Sequence, residues 1–348
     1  MRMVRALGVV VVALVLAVGC ADDEGAAPVA TPTTAAPTTV PPTTVPPTTV
    51  PPTTVPVAGR PSPGCDLAAV DRSAGPERRT LRWEGADRRV LVEAPVAAPA
   101  GPAPLVLNLH GSGSNGLEQL VYSGLGGVST ARWAVVAHPD GSVPSDGDPF
   151  VWNPFPGTTP DDLGFLLAVV DDLAADHCID LDRVVAVGLS NGAIMASVLA
   201  CHGGGLVDTI VTVAAQVFPV TCPDGPVSVL GIHGTADETV PFLGGEVGGR
   251  PGVILPPVDE AFGQWAQVGG CDPAPEAARV ADDVERRTWP GCADDVALEL
   301  WVVEGGGHTW PGTALDIEQL GVVTRSFSAS EVGIDFLLDG PAPVAALD

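Results

Sequence analysis

Apolar and polar positions follow two different periods along this chain. Short runs at 105–109, 134–137, 184–187, 209–213, 227–232 and 298–303 are made mostly of Val, Leu, Ile and Ala. Such runs suit strands buried on both faces. Between them the period lengthens. Asp161 and Asp162 open a predicted helix that runs to about Asp176, with Leu163, Leu166, Leu167, Val170 and Leu173 on one face. Its leading carboxylates suit the positive end of a helix dipole. Further helices are predicted over 116–125, from Ala193 onward, over 257–268 and over 328–338. Residues 81–83 and 88–92 flank Glu84-Gly85-Ala86-Asp87, which reads as an antiparallel hairpin at one sheet edge. A long loop rich in Pro, Gly and Asp spans 141–160. Alternating strands and helices with apolar strands predict an α/β fold: a mostly parallel sheet covered by helices on both faces.

The first sixty residues carry a different pattern. Arg2 and Arg5 precede an apolar run over 6–18, too short to span a bilayer and shaped like a signal segment. Leu16-Ala17-Val18-Gly19-Cys20 resembles a bacterial lipobox, with Cys20 as the lipidated residue and 1–20 as the signal peptide. Residues 21–63 are low in complexity, and Pro-Thr-Thr-Val-Pro recurs between Pro37 and Pro56. That composition cannot bury apolar area, so an extended stalk is expected. About forty residues at ~3.1 Å each reach roughly 100 Å. The remaining residues, 64–348, suffice for one large domain with a full core.

Charge and cysteine content narrow the setting. Sixteen Lys and Arg face 42 Asp and Glu, a net charge of −26. That balance excludes nucleic acid and anionic lipid surfaces as partners, leaving a lipid at Cys20 as the only membrane contact. A monomer on the outer face of the cytoplasmic membrane is expected. Cys65, Cys178, Cys201, Cys222, Cys271 and Cys292 are even in number, which suits disulfides in an oxidising compartment. Fifteen pairings exist for six cysteines. Nearness suggests Cys201–Cys222 and Cys271–Cys292, leaving Cys65–Cys178. The absence of a C-x-x-C pair argues against a zinc site, and no cofactor is expected.

The candidate chemistry sits at strand ends. Gly188-Leu189-Ser190-Asn191-Gly192 follows the strand at 184–187 and fits the G-x-S-x-G elbow. Its glycines remove Cβ atoms that would clash in a sharp strand-to-helix turn. The turn pushes the Ser190 hydroxyl out above the sheet, with a helix N-terminus beneath it. A nucleophilic serine needs a base oriented by an acid, and donors for the oxyanion. His308, in Gly305-Gly306-Gly307-His308-Thr309-Trp310, is the only histidine after Asp237. Asp237 follows the strand at 227–232, with Glu238 as a rival acid. The order Ser190, Asp237, His308 is the order this chemistry takes on an α/β sheet. His110-Gly111-Ser112-Gly113 follows the strand at 105–109, where an oxyanion loop belongs. The backbone N–H groups of Ser112, or else Gly113, and of Asn191 are the candidate donors. His110 is expected to brace that loop. Trp152 and Trp310 are candidate rim residues for packing on a phenolic or sugar ring. Asp161 and Asp162 read as capping and fold residues rather than catalysts.

Together, Leu109-His110-Gly111, Asp162-Leu163-Gly164-Phe165, the Ser190 elbow, His233-Gly234-Thr235-Ala236-Asp237 and Gly306-Gly307-His308-Thr309-Trp310-Pro311-Gly312 resemble the polyhydroxybutyrate depolymerase and feruloyl esterase group of α/β-hydrolases. The resemblance covers roughly residues 65–338. It implies a serine carboxylic-ester hydrolase with Ser190, Asp237 and His308 as the triad, acting on a small or polymeric ester. Two other readings stay open from the residues themselves. One is a serine peptidase of the same fold. The other is a surface lipoprotein that binds carbohydrate or polymer without turnover.

Overall fold

A computed structural model describes residues 59–67, 75–97, 101–142, 150–293 and 296–340. The signal segment, Cys20 and the Pro/Thr repeats lie outside the described residues. Strands β1 (Glu77–Trp83) and β2 (Ala86–Glu93) form the expected edge hairpin. Trp83 pairs with Ala86, so the connection is two residues long. Those two residues, Glu84 and Gly85, both have positive φ, 46° and 82°, as a tight hairpin turn requires.

The other elements follow in chain order. Strand β3 (Ala103–Leu109) leads to helices α1 (Gly116–Ser123) and α2 (Leu125–Ala131), then to β4 (Val135–Pro139). Helix α3 (Asp162–Asp176) precedes β5 (Ile179–Leu189), α4 (Asn191–His202), β6 (Val207–Val213) and β7 (Ser228–Gly234). A small ribbon, β8 (Gly245–Glu246) with β9 (Ile254–Leu255), stands apart from the main sheet. Helix α5 (Val258–Val268), strands β10 (Glu276–Ala281), β11 (Val284–Thr288) and β12 (Leu298–Val303), and helix α6 (Ala329–Asp339) complete the fold.

The main sheet has ten strands in the order β1-β2-β4-β3-β5-β6-β7-β12-β11-β10. Its six central strands, β4 to β12, are parallel, and an antiparallel hairpin closes each edge. Side chains alternate between the two faces, as the pleat demands. Leu105, Leu107 and Leu109 join one core cluster with Phe165, Met195, Phe262 and Trp265, under α3, α4 and α5. Val106, Val185 and Val187 point to the other, with Leu125, Ile334 and Leu337 from α2 and α6. These two clusters explain why the central strands read as continuous apolar runs.

Several expectations need correction. The helix expected over 116–125 is broken at Gly124, which takes a left-handed conformation (φ 61°) between α1 and α2. The buried face of α3 is Phe165, Leu166, Val169, Val170, Leu173 and Ala174, with Leu163 and Leu167 only at its margin. Strands β10 and β11 were not foreseen. Five of their eleven residues are charged, and β11 buries Arg286 against Glu299 of β12 through two bonds of 2.9 and 2.5 Å.

The three disulfides are Cys65–Cys178, Cys201–Cys222 and Cys271–Cys292, the pairing that nearness suggested. The first lies where the chain enters the fold. Residues 60–63, grouped with the stalk by composition, are already held there. Leu181 N–H donates to Arg60 O at 2.8 Å, and Ser62 N–H donates to Ile179 O at 2.8 Å.

Candidate active site

Parallel strands β3, β5, β7 and β12 all end on the same side of the sheet, which is where crevices form in α/β proteins. Each delivers one part of the site. Strand β5 ends at Ser190, which takes φ 55° and ψ −120° before α4 begins. The elbow glycines are required by space. A Cβ on Gly188 would lie 2.2 Å from the carbonyl carbon of Gly192, and one on Gly192 would lie 2.3 Å from Leu109 O. Helix α4 can therefore start close against β3. The backbone N–H of Ser190 donates to Val213 O at 2.8 Å, which ties the elbow to β6. Its hydroxyl makes no hydrogen bond to any described residue, His308 included. In substrate-free hydrolases such bonds often tighten only on binding.

Beyond β7 the chain turns at Asp237, which is 4 % exposed. Its two oxygens do different work. Oδ1 accepts from the N–H groups of Thr239 (2.9 Å) and Val240 (2.7 Å), fixing the turn. Oδ2 lies 2.7 Å from Nδ1 of His308, carried by the glycine-rich loop after β12. With the proton on Nδ1 and donated to the carboxylate, Nε2 of His308 keeps its lone pair. Glu238 is exposed and pairs with neither, so it does not compete.

A second imidazole, unforeseen from the sequence, touches the same carboxylate. Nε2 of His233 donates to Val240 O at 2.9 Å and lies 3.4 Å from Asp237 Oδ2. The four-residue spacing of His233 and Asp237 was the available signal. Burial alone would raise the Asp237 pKa. The bonds from His233 and His308, the charge of His308 and the Val240 N–H outweigh it and hold the group at about 2. A depressed folded pKa makes the carboxylate stabilising above its unfolded value, and that contribution disappears as pH falls through the folded one. The window therefore runs from 3.8 down to about 2. Urea midpoints of wild type and Asp237→Asn should converge as pH falls through this window and stay apart above it. Parallel curves would show that the carboxylate is not held this way.

The loop after β3 closes the other side. A Cβ on Gly111 would lie 3.5 Å from the Ser190 Cβ, so this loop borders the serine directly. It carries two candidate oxyanion donors. The Gly113 N–H is taken by Phe150 O at 2.9 Å, while that of Ser112 meets no carbonyl of the described chain. The N–H of Asn191, first in α4, is likewise without a carbonyl partner. His110 braces the loop, as expected. Its Nδ1 donates to Gly111 O at 2.7 Å, and its Nε2 accepts from Gly141 N–H at 2.8 Å. Burial pushes the His110 pKa down, which keeps this tautomer neutral.

The two tryptophans expected at the rim are inside the protein. Trp152 is 2 % exposed and Trp310 0 %, so neither offers a face to a ring in solvent. Trp152 donates from Nε1 to His110 O at 3.0 Å. Its backbone pairs with the Asn191 side chain: N–H to Oδ1 at 2.6 Å, and O from Nδ2 at 3.1 Å. Trp310 donates to Ser330 Oγ at 3.0 Å within the core under α6. Both fasten loops of the site from behind. Asp161 caps α3 through Gly164 N–H, as its position suggested. Asp162 takes the fold role also expected of the pair, anchoring the loop of Trp152 through Ser142 Oγ and Asn153 N–H.

No protein-family model matches the chain. It is 30 % identical over 321 residues to "Putative esterase NocK" of Nocardia uniformis subsp. tsuyamanensis, covering 80 % of this chain and 91 % of that protein. The chain belongs to the feruloyl-esterase-like group of α/β-hydrolases. This esterase is also 27 % identical over 235 residues to feruloyl esterase B of Piromyces equi, covering 64 % of this chain and 42 % of that one. Among solved structures, an acetyl xylan esterase from Aspergillus awamori superposes with a TM-score of 0.51 at 18 % identity. That match covers 68 % of this chain and 94 % of the other, and it speaks to the fold. The sheet order and the elbow of this esterase are those of an α/β-hydrolase.

Proposed function

We propose that the chain is a serine carboxylic-ester hydrolase working through an acyl-enzyme on Ser190. The observation that carries the reading is the 2.7 Å bond between Asp237 and His308 Nδ1, which leaves Nε2 as a base on the sheet end where the Ser190 elbow stands. Ser190 Oγ attacks the ester carbonyl carbon as its proton passes to His308 Nε2. The oxyanion takes the N–H groups of Ser112 and Asn191. The C–O bond to the alcohol breaks as Nε2 returns the proton to the leaving oxygen. Water then repeats the sequence and frees the acid. Asp237 holds the imidazole and balances its charge without taking the proton.

The relatives named as feruloyl esterases favour a feruloylated polysaccharide as the ester, beside acetylated polysaccharide, polyhydroxyalkanoate and small esters. A lipobox-like Cys20 and a Pro/Thr stalk that ends before Arg60, where the catalytic domain begins, make it a tethered, secreted enzyme. Three disulfides fit that oxidising setting. A fluorophosphonate should add to one residue, Ser190, and a short-chain nitrophenyl ester should be turned over faster than a matched peptide anilide. Equal ester turnover by wild type and Ser190→Ala would falsify the mechanism. Faster anilide turnover would make it a peptidase.

A further inference from the structure

The chain has no lysine and carries an excess of carboxylates, so each arginine left without a partner stands out. Most described arginines are neutralised where they stand: Arg79 by Glu77, Asp172 and Asp176, Arg88 by Asp162, Arg287 by Asp259 and Glu285. Arg78, Arg183 and Arg250 make no ion pair among the described residues, and Arg250 is the one of the three bonded to the candidate site. It is exposed and sits on the loop between β8 and β9. Its one side-chain contact is to the candidate site: Nη2 donates to Ser112 Oγ at 2.9 Å. The loop beneath is itself fixed. Gly248 N–H donates to Thr239 O at 2.7 Å, two residues after Asp237. Glu246, the carboxylate of the same loop, is engaged by Gly252 N–H at 2.6 Å.

Ser112 therefore has two faces. Its N–H is the candidate oxyanion donor, and its hydroxyl receives a guanidinium. A cation lies one side chain away from the place where the ester carbonyl would sit. We propose that Arg250, steadied by Ser112, forms an anion subsite that selects esters bearing a carboxylate close to the scissile carbonyl. The inference rests on the esterase reading and names its substrate class. The guanidinium fork has donors to spare and matches a carboxylate in two-point geometry. Net negative charge elsewhere repels anions, so an unpaired cation at the mouth concentrates the preference there.

The test measures kcat/KM on matched pairs. 4-Nitrophenyl hydrogen succinate against 4-nitrophenyl butyrate places the carboxylate on the acyl side. 4-Acetoxybenzoate against 4-acetoxybenzamide places it on the alcohol side. In at least one pair, Arg250→Gln should lower the anionic-to-neutral ratio by about fivefold, the upper scale of an exposed charge pair. Turnover of the neutral member should change less than about twofold. Arg250→Lys should restore part of the ratio, and Arg250→Glu should push it below that of Arg250→Gln. Unchanged ratios in both pairs would overturn the proposal. Turnover of the neutral esters, and its loss in Ser190→Ala, reports separately on the esterase reading. The amide analogue N-(4-nitrophenyl)succinamic acid gives a binding readout independent of turnover. Its calorimetric affinity should fall about fivefold in Arg250→Gln, while the uncharged butyranilide should not respond. Equal affinity of both variants for the succinamic acid would also count against the subsite.

Discussion

Replacing Ser190 with alanine should lower kcat on a nitrophenyl ester by at least about 10⁴-fold, the scale seen when a serine nucleophile is removed. The same change should leave stability within about 0.5 kcal/mol, because alanine inherits the same backbone. Ser190→Gly should behave differently. At φ 55° and ψ −120° Ser190 occupies a region that side chains avoid, at a cost on the order of 1–3 kcal/mol. Glycine relieves that strain but loses about 0.5–1 kcal/mol of unfolded-state advantage. The expected result is an inactive protein about 1 kcal/mol more stable than wild type, read from its denaturation midpoint. A destabilised Ser190→Gly would mean that the elbow is not strained. The strain is tolerated because neighbours over-determine it: the Ser190 N–H bond to Val213 and the backbone-to-backbone approach of Gly188, Gly192 and Leu109.

The largest loss of stability is expected away from the serine. Arg88 and Asp162 are 7 % and 1 % exposed and meet at 2.9 Å. Burial lowers the pKa of Arg88 and raises that of Asp162, so each relies on the other to stay charged. Arg88 also donates to Asp140 O at 2.9 Å and lies 3.8 Å over the Phe165 ring. Arg88→Met would leave a buried carboxylate without its counter-charge, and should cost about 3–5 kcal/mol at neutral pH. Part of that loss should return in acid. A carboxyl whose folded pKa stands above its unfolded value is less destabilising once protonated. The double variant Arg88→Met/Asp162→Asn should lose less than the two single changes added together, because it leaves no lone charge behind. Additive losses in chemical denaturation would mean that the pair is not coupled. Activity should fall as well, since Asp162 fixes Ser142 and Asn153 on either side of the loop that carries Trp152, and Trp152 is bonded to Asn191 beside the serine.

These two sites also mark what the sequence could reveal. The elbow and the strands before Ser190, Asp237 and His308 were legible because a buried parallel strand leaves an apolar run and a tight turn leaves its glycines. The Asp237–His308 contact followed from chain order alone. Polar partners left no such trace. Arg88 reads as a surface residue of an edge strand, and only its neighbours in space show it to be buried. Strands β10 and β11 were missed for the same reason: their pairing rests on charged residues such as Arg286 and Glu299. Trp152 and Trp310 were misjudged because a tryptophan beside a candidate site looks the same in sequence whether it faces solvent or braces a loop. Asn191 was assigned its backbone N–H from the elbow, but its side-chain grip on Trp152 joins residues 39 apart and has no local pattern.

The direction of β5 has a mechanical meaning. The incoming chain is stapled beside its first residues, through Cys65–Cys178 and the Ser62 bond to Ile179, and Ser190 stands after its last. Eleven residues of strand separate the two, roughly 35 Å. Force applied where the described chain begins would therefore load the covalent staple and leave the elbow slack.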